Sequence, residues 1–175
     1  MQQNSLFKID YWKISIKDFE IKKKQLIELL KEYPESKQGI QFFNTNKQNN
    51  RDKLSERFSN IIIDELKEFS QNIKKNIIIE DVWSVTYNLG DYQIPHNHGS
   101  KKLTGILYLE SNQELPLTCF IQPWNDIEKD LSVIYEMPAK EGDLIIFPSF
   151  VNHFSPPNKY KQNKRIVSFD MKIVK

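Results

Sequence analysis

From Ile77 to the carboxy terminus the apolar residues recur at every second position, in short runs broken by turn residues, and no stretch of helical period intervenes. The runs fall at about 77–88, 93–98, 102–110, 115–122, 131–137, 143–148, 151–155 and 165–174. Strands so short and so close leave no room for the crossover helices of a parallel sheet, so the pairing has to be antiparallel and the sheets have to fold over one another as a sandwich or barrel. Turn chemistry agrees: seven of the eight prolines and four of the five glycines lie from residue 90 onward.

The amino-terminal part has the other period. An opening strand is expected from Phe7 to Ile16, then a helix capped by Asp18 and running to Lys31, with Phe19, Leu26, Leu30 and Tyr33 on one side and Pro34 beyond its end. Residues 36–50 are rich in Gln and Asn, carry the pair Phe42-Phe43, and read as a long loop. A single helix follows, with Leu54, Phe58, Ile61, Ile62, Leu66, Phe69 and Ile73 on one stripe, which needs a sheet face to cover it. The expected fold is mainly β, a jelly roll with amino-terminal helices packed on one sheet. It forms one domain over 1–175, in which 1–76 supports a β core at 77–175.

Composition narrows the function classes. Twenty-five Lys and Arg against 23 Asp and Glu leave a net charge of +2, which argues against nucleic acid as a partner without excluding it, since backbone binding needs a basic track. The polar start MQQNSLFKID has no signal-peptide core, and stretches such as Leu144-Ile145-Ile146-Phe147 are far too short to span a membrane, so a cytoplasmic protein is expected. Cys119 is the one cysteine, which excludes a disulfide framework or thiolate cluster and reads as a small buried residue. Trp83 and Trp124 read as packing residues, and Lys22-Lys23-Lys24 and Lys101-Lys102 as solvated faces.

The three histidines are confined to two strand-like pieces, Pro95-His96-Asn97-His98 and Phe147 to His153. Residues i and i+2 of a strand share a face, so His96 and His98 project together, and His153 on a returning strand can close the same face. Neutral imidazole suits Fe, Zn, Cu or Ni, and three protein ligands leave coordination positions open, as catalytic sites require.

His153 ends the run Glu141-Gly142-Asp143-Leu144-Ile145-Ile146-Phe147-Pro148-Ser149-Phe150, and Arg165 opens the strand Ile166-Val167-Ser168-Phe169-Asp170. With G-x5-H-x-H from Gly90 to His98 and the strand Thr104 to Leu109, the chain over about 80–172 resembles the iron(II)/2-oxoglutarate-dependent oxygenases. It is most similar to small phage and bacterial members related to the prolyl hydroxylases. The resemblance implies a double-stranded β-helix holding Fe(II), with 2-oxoglutarate as co-substrate. Oxidative decarboxylation to succinate and CO2 would be coupled to oxidation, usually hydroxylation, of a substrate C–H bond. By position His96 and His153 match the two histidine ligands, and His98 stands where the family's carboxylate ligand usually is, making a three-histidine set. Arg165 matches the clamp on the distal carboxylate of 2-oxoglutarate. Tyr108 matches a hydroxyl to the same group, and Tyr87 an aromatic wall. Relatives often carry Arg-x-Ser; here Val167 takes the serine position, and Ser168 is expected to face away.

Two other readings use the same residues. A cupin-type three-histidine metalloenzyme, using no 2-oxoglutarate, shares the H-x-H and later His but would carry a Glu after the first motif, which is absent. A non-catalytic jelly-roll binding module would leave the imidazoles apart. Arg165 pointing into the barrel favours the oxoacid, and Arg165 pointing outward favours the cupin. The sequence leaves a small molecule, a protein side chain and a nucleobase all open as substrate, the first two favoured by the weak charge, with loops at 36–51 and 122–130 expected to cover it.

Overall fold

Two antiparallel sheets face each other, and the chain passes back and forth between them. The computed structural model describes residues 8–38, 41–45, 51–99, 103–112, 114–126 and 128–174. In order these form β1 (Trp12–Ser15), α1 (Phe19–Lys31), β2 (Ser36–Gln38), β3 (Phe42–Asn44), α2 (Arg51–Ile61), α3 (Ile63–Ile73), β4 (Asn76–Tyr87), β5 (Gln93–His96), β6 (Leu103–Glu110), β7 (Cys119–Asp126), β8 (Leu131–Glu136), β9 (Asp143–Pro148), β10 (His153–Ser155) and β11 (Lys164–Val174). The larger sheet has the order β1-β9-β6-β11-β4-β3-β2 and the smaller β5-β10-β7-β8. Strands β4, β6, β9 and β11 alternate along the chain with β5, β7–β8 and β10 of the opposite sheet, which is the path of a double-stranded β-helix.

The larger sheet is buried on both faces. Its outer face presents Leu103, Leu107, Leu109, Leu144, Ile146, Val167, Phe169 and Met171 to Leu26, Leu29 and Leu30 of α1, Leu54 and Phe58 of α2, and Leu66 and Phe69 of α3. Its inner face puts Val85, Tyr87, Ile106, Tyr108, Ile145, Phe147 and Ile166 into the barrel with Phe120 and Met137. Two-sided burial accounts for strands such as Leu103–Glu110 that are apolar almost throughout.

Several local expectations change. The single helix over 54–73 is two helices, broken at Ile62 (φ −106°, ψ 25°). Three consecutive β-branched residues, Ile61 to Ile63, crowd one turn there. Because the Leu66 N–H still donates to the Ile62 carbonyl at 3.1 Å, the apolar stripe stays in register across the break. Asp18 does not cap α1 through its side chain; it sits in the left-handed region at φ 50°. The turn is held instead by buried Glu65, which accepts the Lys17 N–H at 2.9 Å and the Lys22 ammonium at 2.8 Å. Part of the loop expected at 36–50 is the β2–β3 hairpin, which extends the larger sheet at Phe43↔Thr86 and Asn44↔Val85. Phe42 is buried in the barrel, its ring 6.0 Å from that of Tyr87. Residues 39–40 and 46–50 of that loop, the Phe7 end of the opening strand, and Lys101-Lys102 lie outside the described residues. Among the described residues no helix is long and apolar enough to cross a membrane.

Gly105 of β6 pairs with Phe169 of β11, whose ring covers it on the helix side. A Cβ at Gly105 would lie 2.2 Å from Phe169 Cζ. Gly105→Ala should therefore displace Phe169 from Phe58 and cost about 1–3 kcal/mol of stability, read as a lower midpoint in chemical denaturation.

Candidate metal and co-substrate site

Strand pairing brings the histidines together. His153 of β10 is directly opposite His96 of β5. His98, two residues past His96, is tied down by its N–H to the Ser149 carbonyl at 2.9 Å. Ring centroids are separated by 4.3 Å for His96–His153, 5.3 Å for His98–His153 and 5.5 Å for His96–His98. One nitrogen from each ring lies within 4.8 Å of the others. The remaining nitrogens have acceptors. His96 Nδ1 meets the Ile94 carbonyl at 2.9 Å, His153 Nδ1 the Val151 carbonyl at 3.0 Å, and His98 Nδ1 the carboxylate of Asp170 at 2.9 Å. These partners assign the proton to Nδ1 in all three rings and leave each Nε2 lone pair free to bind a cation.

Aromatic rings surround the cluster. Trp83 stacks on His98 with centroids 5.4 Å apart, and Phe120 and Phe147 pack against His153. Burial, reinforced by the neighbouring His96, holds the His153 pKa down at about 3; burial lowers that of His96 as well. Both rings are thus kept in the neutral form that ligates metal. Asp170 is itself buried, and the oxygen facing His98 also accepts the Thr104 hydroxyl at 2.9 Å; Thr104 in turn meets Ser149 Oγ at 3.0 Å.

One step along β10 from His153, Ser155 faces the same interior and accepts a hydrogen bond from the ammonium of Lys164 at 2.7 Å. Lys164 is completely buried; it also donates to the Pro116 carbonyl at 2.8 Å and lies 4.6 Å from the centre of the Tyr87 ring. Among the described residues no carboxylate pairs with it, and burial pushes its pKa down to about 7.

Arg165 is not in this interior. Its guanidinium lies on the other face of β11, donating to Thr86 Oγ1 at 3.0 Å and sitting 3.3 Å from a Glu110 carboxylate oxygen. The expected register is off by one residue, and in a strand that exchanges the two faces. The same slip reverses Ser168, which lines the histidine pocket, and Val167, which faces the helices. Tyr87 lines the pocket beside Lys164, its hydroxyl donating to Gln93 at 2.8 Å. Tyr108 is inside the barrel, but its hydroxyl is committed to Thr118 Oγ1 at 2.8 Å, and it is Thr118 that lines the pocket. Burial raises the Tyr108 pKa to about 12, so it stays a neutral donor. Of the two tryptophans expected to pack in the core or at its rim, Trp83 is buried and Trp124 is part-exposed on β7.

Lys164 and Asp170 are the residues that motif spacing missed. Strand parity contains both. Val167, Phe169 and Met171 are the large apolar residues suited to the helix-covered face, which assigns Lys164, Ile166, Ser168 and Asp170 to the barrel.

Because His153 ionises far more readily in the unfolded chain, at about 6.5, than in the fold, the unfolded state holds the extra proton between pH 6.5 and 3. Stability of the metal-free protein should fall as pH drops through that window, by up to ~1.4 kcal/mol per pH unit for this one group. A His153→Gln variant should show a shallower acid slope in denaturant midpoints.

Comparison with known proteins agrees with this architecture. The profile of the family described as "Putative 2OG-Fe(II) oxygenase" matches residues 81–170. No curated protein matches the sequence. Among solved structures the chain is similar to the viral collagen prolyl hydroxylase of Paramecium bursaria Chlorella virus-1 in its 2-oxoglutarate complex (TM-score 0.62, 17% identity, 94% of this chain and 96% of that one). It is also similar to HygX of Streptomyces hygroscopicus with nickel and 2-oxoglutarate bound (TM-score 0.70, 9% identity, 94% and 83%), and to an oxidoreductase of the 2OG-Fe(II) oxygenase family from Burkholderia pseudomallei (TM-score 0.59, 9% identity, 86% and 77%). These likenesses share the fold, and the profile match, covering the strands that carry all three histidines and Lys164, places the chain in the 2-oxoglutarate- and iron(II)-dependent oxygenase family.

Proposed function

We propose that this oxygenase holds ferrous iron on His96, His98 and His153 and binds the distal carboxylate of 2-oxoglutarate at Lys164. The observation that carries the reading is Lys164: a fully buried ammonium without a carboxylate partner among the described residues, one strand repeat from the histidine cluster. A buried charge of this kind is stable only when something neutralises it, and a dicarboxylate entering the barrel does so. The donor set fits the metal: three neutral imidazoles, oriented by acceptors at Nδ1, suit a divalent first-row ion and leave positions for a chelating oxoacid.

Ferrous iron, 2-oxoglutarate and O2 together supply the oxidative chemistry, giving succinate, CO2 and a hydroxylated product. The chain's own residues do the rest. The histidines bind and fix the cation. Lys164 binds and orients the co-substrate, with Ser155 sharing its hydrogen bond and the Tyr87 ring facing its charge. Phe120, Phe147 and Trp83 exclude water around the ligands. The cupin alternative has no use for a buried cation, and although Arg165 points outward, the adjacent Lys164 meets the need for an inward one.

The substrate on this reading is a small molecule or a protein side chain. The viral neighbour is a collagen prolyl hydroxylase, and HygX is known with hygromycin B bound. A reducing cytoplasm suits both a ferrous centre and the unpaired, buried Cys119.

Calorimetric titration of 2-oxoglutarate into Co(II)-loaded protein tests the assignment. Lys164→Ala should weaken 2-oxoglutarate binding ~10–100-fold with Co(II) affinity unchanged, the loss of one charge-assisted hydrogen bond and its ion pair, whereas Arg165→Ala should bind it as the wild type does. The reverse ranking would refute it. Binding should also weaken above pH 7, where free Lys164 loses its proton, with proton uptake on binding detectable as a dependence on buffer ionisation enthalpy.

A further inference from the structure

A three-histidine site leaves the double charge of a divalent cation undiminished, because no ligand is anionic. Among the described residues one carboxylate lies against the histidine cluster. Asp170 of β11 is 3% exposed and accepts the Nδ1–H of His98 at 2.9 Å. Its companion rings, His96 and His153, have only backbone carbonyls at the same position. The same Asp170 oxygen takes the Thr104 hydroxyl at 2.9 Å, and Thr104 is braced by Ser149, so the carboxylate is anchored beside the ring. Trp83 stacks on the other side of that ring and fixes its plane.

Resting on the three-histidine reading, we infer that Asp170 is a positioning residue that moves the missing carboxylate one shell outward. It orients the His98 ring and sets a carboxylate behind it, so that the Asp170–His98 pair supplies from outside the ligand set the negative charge that the three imidazoles lack. A carboxylate on the far nitrogen raises the basicity of a ligating imidazole, and loss of such a partner typically costs 10–100-fold in metal affinity.

Asp170→Asn is the discriminating variant. The amide oxygen can still accept from His98 and Thr104, so the charge is lost with side-chain shape and these two contacts kept. Competition against a chromophoric chelator should show Co(II) binding ~10–100-fold weaker in Asp170→Asn than in wild type. Equal affinities overturn the inference while leaving the histidine site standing; a wild type that binds no Co(II) overturns both. Imidazole N–H resonances of the Zn(II)-loaded wild type give a readout that does not depend on the variant folding. The His98 Nδ1 proton should lie well downfield of those of His96 and His153, and three similar shifts would contradict the inference.

Discussion

Burial of the larger sheet on both faces is the constraint from which the site follows. Helices α1, α2 and α3 cover the outer face, and beneath them lie the large apolar side chains of β6, β9 and β11. Once Val167, Phe169 and Met171 are committed outward, the alternation of a strand leaves Lys164, Ile166, Ser168 and Asp170 no direction but into the barrel. A slip of one residue would put two charged groups under the helices and three large apolar groups into the pocket. The helical layer, remote from the histidines, thus fixes which polar groups reach them.

Inside the barrel the charges have been removed from water without being mutually paired. Lys164 and Asp170 both lie in it, at positions 164 and 170 of one strand, and each is supported locally: Lys164 by Ser155, Pro116 and the Tyr87 ring, Asp170 by Thr104 and His98. Burial also keeps His96 and His153 neutral. Such an interior is poised for ligands of defined sign, an anion beside Lys164 and a cation among the imidazoles, because each would relieve a desolvation cost already present in the fold.

The period of two from Ile77 onward revealed an antiparallel sandwich or barrel, since a parallel α/β sheet needs helices between its strands. The spacing of His96, His98 and His153 likewise revealed a common face, and their convergence needed only the β5–β10 pairing. The orientation of β11 was harder. Lys164 and Arg165 are adjacent cations, and choosing between them requires knowing which face the helices cover, a tertiary fact. Asp170 was missed because a residue that touches a histidine and not the cation has no motif of its own; only its place 2.9 Å from His98 Nδ1 singles it out. Asp18 looked like a helix cap, but its backbone takes a left-handed turn that Glu65, nearly fifty positions away in sequence, stabilises.

The central claim is that the three imidazoles and the buried ammonium form one compartment for a chelated metal–oxoacid pair. Visible absorption during anaerobic addition of Fe(II) and then 2-oxoglutarate to the wild-type protein tests it most directly. The account predicts a charge-transfer band that grows only when both are present and saturates at one equivalent of each; Fe(II) binding that leaves the spectrum indifferent to 2-oxoglutarate would contradict it.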